Sequence, residues 1–430
     1  MTAFSLTRTD IEEWSRGLDE PQVQVIANAV AGNDVDAVAL SRPHVVSLYD
    51  VTETRLDSLP VTDQKRSGRC WMFAALNVLR HRIAEERKLE DFEFSEAYLQ
   101  FYDLLGKAEV FWDRIQEHRD DLDSREAHLL LQEPVSDGGE WNFVVALVEK
   151  YGLVPKYAMP ETWSSSKTAA MVRDINTVLR RGFLRGRAKE EVLQDVRRIL
   201  SIHLGEPPER FTWQYRDKDK NFHREGEFTP TEFAAHILPV DLGEYVVLGH
   251  DPRPDRAWGE RYAIDGQCDL PGTEFFTYLN VSIEELSEIA QASLRKEEPV
   301  WFACDVMRQF SPGDAVWDAE LRPLDTLYGV DSATTKAEQM MTQESRLTHA
   351  MVFTGYDDAP GPRWRVENSW GTEHHGAVKE IGDKGYGTMS QNWFEDNVFA
   401  IAVRRSFLPE QLRERADAPA HVVPLWDAMA

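Results

Sequence analysis

Four residues of this chain stand where they can act on a carbonyl group: a cysteine, a glutamine just ahead of it, and a distant histidine and asparagine. Residues 61–80 read VTDQKRSGRCWMFAALNVLR. After Cys70 the apolar residues Met72, Ala75, Leu76, Leu79 and Ile83 recur at helical spacing, which predicts an amphipathic helix with one buried face. Ser67 and Gly68 start helices or break the loop before them, so Cys70 falls in or near the first turn. There the free N–H groups and the helix dipole favour a thiolate, the nucleophilic form of cysteine. Gln64 can donate a side-chain N–H to the oxyanion that forms when the sulfur attacks a carbonyl.

Residues 347–356, LTHAMVFTGY, and 364–371, WRVENSWG, read as two strands with the turn-forming DDAPGP between them. A hairpin centred on Asp358-Ala359 sets His349 directly opposite Asn368. Opposed residues have Cβ atoms about 5 Å apart. The Asn368 amide oxygen can then accept from one imidazole nitrogen and leave the other for Cys70. A lone histidine at a strand start is usually a satisfied polar residue. One registered against an asparagine, in a chain that also has Cys70 behind Gln64, is harder to dismiss.

These stretches resemble the papain-like cysteine peptidases, and within them the bleomycin hydrolase and bacterial aminopeptidase C branch. The resemblance rests on Gln64, Ser67-Gly68-Arg69-Cys70-Trp71, Phe73, Thr348-His349-Ala350-Met351 and Glu367-Asn368-Ser369-Trp370-Gly371. Cys70 and His349 are further apart than the roughly 130–150 residues of compact papain-like enzymes, which suits this longer branch. The resemblance implies an α+β, two-lobe fold. A helical lobe carries Cys70, an antiparallel β-barrel lobe carries His349 and Asn368, and helical insertions are added. It implies a cysteine aminopeptidase acting on peptides with a free amino terminus, with Cys70, His349, Asn368 and Gln64 catalytic and no cofactor or metal. An amidase for non-peptide amides and a non-catalytic assembly protein are the alternatives. A homohexamer with internal active sites is implied as well.

Two further elements follow from the same resemblance. Gly138 and Gly139, in SDGGEW, match the glycine pair against which substrate backbone lies, because no Cβ intervenes. Glu140 stands where the family more often has glutamine. The tail, HVVPLWDAMA, is similar to the family's tail, which enters the cleft and offers its terminal carboxylate to the substrate ammonium. That role falls to Ala430 here. Ala428 replaces an expected proline, and the chain stops a few residues earlier than in most relatives.

The elements that must position these groups divide the chain into five stretches. These are an N-terminal arm (1–60), a helical lobe with Cys70 (61–166), a helical insertion (167–227), a β-rich lobe with His349 and Asn368 (228–410), and a tail entering the cleft (411–430). Strand candidates are 244–249, 277–281 and 299–304. The net charge of −26 argues against binding to nucleic acid. No apolar run has membrane-spanning length, and the first residues, MTAFSLTRTDIEEW, lack the pattern of a secretory signal. Three widely spaced cysteines suit a reducing, cytoplasmic compartment. Cys304 reads as core and Cys268 as a loop residue without a base beside it. His374-His375 is an isolated pair without metal-ligand spacing.

Overall fold

The structure is a computed structural model describing residues 5–15, 18–56, 59–238, 240–358, 361–373, 375–378 and 382–430. Residues 1–4, Ala359, Pro360 and His374, which enter the reading above, lie outside the described residues.

Consecutive apolar runs such as VWFAC, HAMVF and VFAIAV mark strands buried on both faces. They form Val300–Cys304, His349–Asp357 and Val398–Arg404, adjacent strands in the middle of a twelve-stranded sheet. Tyr245–Gly249, Thr277–Asn280 and Arg261–Ile264 extend the sheet on one side, and Arg363–Glu367 and Tyr386–Ser390 on the other. Side chains alternate between faces, so one strand serves two cores. Trp301, Ala303, Ala350 and Val352 face the core that includes the Cys70 helix. Val300, Phe302, Met351 and Phe353 face a second core against helix Ile283–Leu294.

The Cys70 helix runs from Cys70 to Glu86 and is buried nearly all round, from Trp71 to His81 and again at Ile83 and Ala84. The expectation of a single buried face is therefore corrected. The helix is wedged between the sheet and helices Glu96–Glu117 and Trp141–Tyr151. A helix covered on every side needs no polar face. Its one deeply buried charge, Arg80, is engaged through both terminal nitrogens, while its Nε is buried without a hydrogen-bond partner among the described residues. The guanidinium donates to the carbonyls of Pro60 (2.8 Å) and Phe92 (3.2 Å) and to Glu367 Oε1 (2.8 Å). Glu367 closes the strand that precedes Asn368, so this pair ties the Cys70 helix to the asparagine.

The hairpin register also differs from expectation. Val352 pairs with Glu367 and Phe353 with Val366, then the register slips at Thr354 so that Gly355 pairs with Arg365. The outermost pair, Asp357 with Arg363, is three positions out of the expected register, and a bulge at Thr354 takes one of these back. His349 is thus not directly opposite Asn368 but two positions out of step. Gly355 permits the bulge, because a Cβ there would lie 2.7 Å from both Thr52 Oγ1 and Thr54 O on the edge strand Thr54–Arg55. The shift is even, so His349 and Asn368 stay on one face as diagonal neighbours, within reach of long side chains.

The stretch from 169 to 204 forms two helices, Ala169–Leu184 and Lys189–Leu204. Strands Phe211–Arg216 and Phe222–Phe228 then form a separate hairpin, joined through the charge run at 217–220. The polar strand FHREGEF gives no alternating apolar signal, so sequence periodicity does not find it.

Arg80 and Glu367 are each 1% exposed at the side chain. Removing one partner of such a pair leaves an uncompensated buried charge. Glu367→Ala is expected to cost about 3–5 kcal/mol in denaturant unfolding. Adding Arg80→Met to that variant should recover most of the loss. A variant that loses less than about 1 kcal/mol, below the range given for breaking a buried pair, would mean the ion pair does not hold the helix to the strand.

Candidate active site

Cys70 opens its helix after Arg69, whose guanidinium is fixed by Glu161 (2.9 and 2.7 Å), Ser165 O (2.8 Å) and Ser67 Oγ (3.0 Å). The loop before the helix is therefore rigid. Asp137 holds it from the far side, accepting from the Gly68 N–H through Oδ2 (3.1 Å) and from the Trp71 indole through its main-chain oxygen (2.7 Å). From the sheet, the Trp301 indole donates to Trp71 O (3.1 Å). Sequence reasoning names Trp71 but not these partners, because none is near it in the chain.

Cys70 is half-buried on the wall of a cavity of about 1010 Å³ that is also lined by Gln64, Gly138, Gly139, His349 and Ala430. Its sulfur accepts from the Ala350 N–H, next to His349, and from the N–H groups of Cys70 and Trp71. These bonds favour a thiolate, but burial is the larger effect and pushes the thiol up to about 11. Burial lowers the His349 imidazole to about 4 against the smaller opposing effect of Asn368. The helix start alone thus does not make a standing thiolate, as the sequence suggested. At neutral pH each group by itself is uncharged, and a proton moved from sulfur to imidazole gives two charges that are each other's counterion.

His349 Nε2 lies 2.9 Å from Asn368 Oδ1, which fixes the ring and leaves Nδ1 as the nitrogen available to Cys70. Asn368 is fully buried, and the Trp370 ring covers the pair with its centroid 4.7 Å from that of His349. Trp370 appears in the motif read from sequence, but only the observed register shows why it sits there. Gln64 is tied to the same loop by its N–H to Ser369 O (2.9 Å). Its Nε2 donates to Ser67 O (2.7 Å), which orients the amide and leaves its second N–H toward the cavity.

The two glycines differ. A Cβ at Gly139 would lie 2.6 Å from the Trp71 ring, so glycine is required for packing behind the sulfur. At Gly138 only Ser136 Oγ, at 3.8 Å, comes near, which leaves its backbone open to a ligand. Lys107 holds the loop, donating to Asp103 Oδ2 (2.9 Å), Ser136 O (3.1 Å) and Gly138 O.

The chain end is held in place. Ala420–Val423 forms a parallel strand beside Arg261–Ile264. Asp427 is then caught by Arg253 (2.6 Å) and Arg256 (2.7 Å), Met429 is fully buried, and Ala430 reaches the cavity. Cys304 is buried in the core on the strand beside His349, its register partner, whereas Cys268 lines the same cavity as Cys70. Among the described residues no cluster of His, Cys, Asp and Glu is placed to hold a metal.

Residues 5–430 match the model of the Peptidase C1-like family. Aminopeptidase E of Lactobacillus helveticus is 36% identical over 446 aligned positions, spanning all of both chains. Human bleomycin hydrolase is 34% identical, over 95% of this chain and 94% of that protein. The crystal structure of PepW from Lactobacillus rhamnosis HN001 superposes with a TM-score of 0.94 at 34% identity, covering 100% of this chain and 99% of that one.

If Cys70 passes its proton to His349, the apparent titrations of the two belong to the pair. Alkylation of Cys70 by iodoacetamide is expected to be flat above about pH 5 and to fall only near pH 4, where His349 takes up its own proton. In His349→Ala the rate should instead climb toward about pH 11, following the buried thiol alone. A wild-type limb near pH 8–9, the range of an ordinary cysteine, would overturn the pairing.

Proposed function

The chain belongs to the Peptidase C1-like family, and from that membership we propose a cysteine-type aminopeptidase that removes residues from the free amino end of peptides. Its fold is the α+β, papain-like one. The observation that carries the reading is the meeting of Cys70, His349 and the chain end Ala430 in one cavity.

In the proposed reaction, Cys70 Sγ attacks the scissile carbonyl carbon as its proton passes to His349 Nδ1. The oxyanion takes hydrogen bonds from Gln64 Nε2 and the Cys70 N–H. Collapse of the tetrahedral species breaks the C–N bond while His349 returns the proton to the leaving amine. Water, deprotonated by His349, then attacks the thioester and frees the amino acid and Cys70. Gly138 holds substrate backbone, and Gly139 keeps Trp71 in place behind the sulfur. The Ala430 carboxylate, ionised at neutral pH, receives the substrate ammonium. Similarity to bleomycin hydrolase supports a second reading, hydrolysis of non-peptide amides by the same machinery.

The proposed assembly is a homohexamer. Helix Pro21–Gly32 buries none of its residues within this chain, and Leu6, Ile11, Trp14 and Val25 are exposed along the arm. The proposed compartment is the cytoplasm, in keeping with three free cysteines. Among the described residues no helix is long and apolar enough to cross a membrane. The charge of −26 supports peptides rather than nucleic acid as partners.

Cys70→Ala should abolish turnover of aminoacyl fluorogenic amides and leave the fold intact. His349→Ala should cost about 10²–10⁴-fold, the worth of a positioned proton carrier. Asn368→Ala, which only orients the ring, should cost less. Equal losses in two folded variants would mean the division of roles is wrong.

Removing Met429 and Ala430 should lower turnover of free-amine substrates and raise cleavage of N-blocked peptides. Unchanged preference for a free amine would place the ammonium anchor elsewhere.

A further inference from the structure

Glu140 stands at the start of helix Trp141–Tyr151 but makes no capping hydrogen bond, so helix capping does not account for its placement. The residue is 7% exposed and lines the same cavity as Cys70. Its Oε2 is buried without a hydrogen-bond partner among the described residues. The nearest cation, Lys107, cannot supply one. An ammonium has three donors, and those of Lys107 go to Asp103, Ser136 O and Gly138 O. A carboxyl is thus held in a closed wall, beside a cavity, with nothing from the protein to bind.

Its position relative to the sulfur is informative. Glu140 lines the same cavity as Cys70, and its charge bears on the thiol. In an N-terminal residue the amine and the scissile carbonyl carbon are joined through a single Cα, about 2.5 Å apart from standard bond lengths and angles. Whatever binds the ammonium must therefore lie close to Cys70 when the sulfur attacks. An uncompensated carboxyl that acts on that sulfur meets this condition.

Resting on the aminopeptidase reading, we propose that Glu140 is a specificity-determining residue: with the Ala430 carboxylate, it holds the ammonium of the residue to be removed. The proton balance is simple. A neutral Glu140 carboxyl meets an alkylammonium, releases one proton to solvent, and leaves a carboxylate paired with the cation. Burial raises the empty-site carboxyl to about 8, with Lys107 on helix Glu96–Glu117 acting in the opposite sense. The other titratable groups facing the cavity are Cys70, His349, Arg114, Glu133, Cys268, Asp305, Arg346 and the chain end. Lys107 is also paired with Asp103 (2.8 Å). A neutral resting residue avoids holding a bare buried anion beside the sulfur, and it becomes an anion only when a cation arrives.

The test compares wild type with Glu140→Gln, which keeps shape and removes the charge. The substrates are alanyl aminomethylcoumarin and its N-acetyl derivative. In wild type, KM for the free amine should fall about tenfold from pH 6 to 7 and flatten toward pH 8, where the carboxyl and the substrate amine both titrate, because binding releases one proton. In Glu140→Gln the slope should disappear, and kcat/KM for the free amine should drop at least tenfold more than for the N-acetyl substrate. A second readout needs no turnover: L-alaninol, an ammonium without a scissile bond, should protect Cys70 of wild type from iodoacetamide and protect the variant far less. Equal protection, or an unchanged KM slope in a variant whose Cys70 alkylates stoichiometrically, overturns the role of Glu140. If neither enzyme hydrolyses either substrate while alaninol still protects only wild type, the aminopeptidase reading fails and the ammonium site stands.

Discussion

The site depends on how one fully enclosed helix is fixed against the sheet. Cys70 and His349 come from chain segments on different elements, and their approach is set by the docking of helix Cys70–Glu86 on strand His349–Asp357. Apolar packing alone would permit that helix to slide, because many small shifts bury similar area. Directional bonds remove this freedom. Arg80 anchors the middle of the helix to Glu367, the Trp301 indole grips Trp71 O, and the Ala350 N–H meets the sulfur itself. Each tie joins the nucleophile helix to a sheet strand that carries or neighbours His349 or Asn368. Geometry at the sulfur is thus inherited from hydrogen bonds along the helix, not from the loop in front of it.

Burial then sets the electrostatics. The same packing that fixes the pair withdraws water from both groups, and desolvation raises the thiol and lowers the imidazole. A pair adjusted in this direction is uncharged at rest and becomes charged by an internal proton shift, so neither charge stands alone in the protein. Asn368 and Trp370 contribute to this balance. The amide accepts from the ring nitrogen remote from Cys70, and the indole excludes water that would compete for it.

Much of this was legible in the chain. Cys70, His349, Asn368 and Gln64 were found from residue type, helical spacing and the two strand runs around a turn, and the structure brings all four to one neighbourhood. What failed were inferences that needed long-range packing. The Cys70 helix was read as amphipathic because periodicity cannot distinguish one covered face from two when the second is covered by distant helices. The hairpin register differs because the outer pairs, Asp357 with Arg363 onward, start three positions from the expected register, and the bulge at Thr354 takes back only one. The pairing of His349 with Asn368 survived because an even slip preserves the face. Asp137, Lys107 and Trp301 were not singled out, since their roles follow from contacts and not from local pattern. A thiolate was expected from the helix start, and burial, invisible in sequence, outweighed it.

The tail shows how such a cleft acquires a closed end. A chain terminus ordinarily frays, because the last residues lose conformational freedom for few contacts. Here the loss is offset in steps. Strand Ala420–Val423 adds main-chain bonds at the sheet edge, Asp427 bridges two arginines, and Met429 contributes a fully buried side chain. Arg253 also holds Asp251 (2.6 Å), so the carboxylate of Asp427 enters an arrangement already rigid without it. The order matters: the arginines lie before the terminal pair, so the strong bonds are spent on Asp427 and none on the terminal carboxylate. Among the described residues no cation pairs with Ala430, which lines the cavity shared with Cys70. On the proposed reading, that leaves an anion anchored through its neighbour to meet a substrate ammonium.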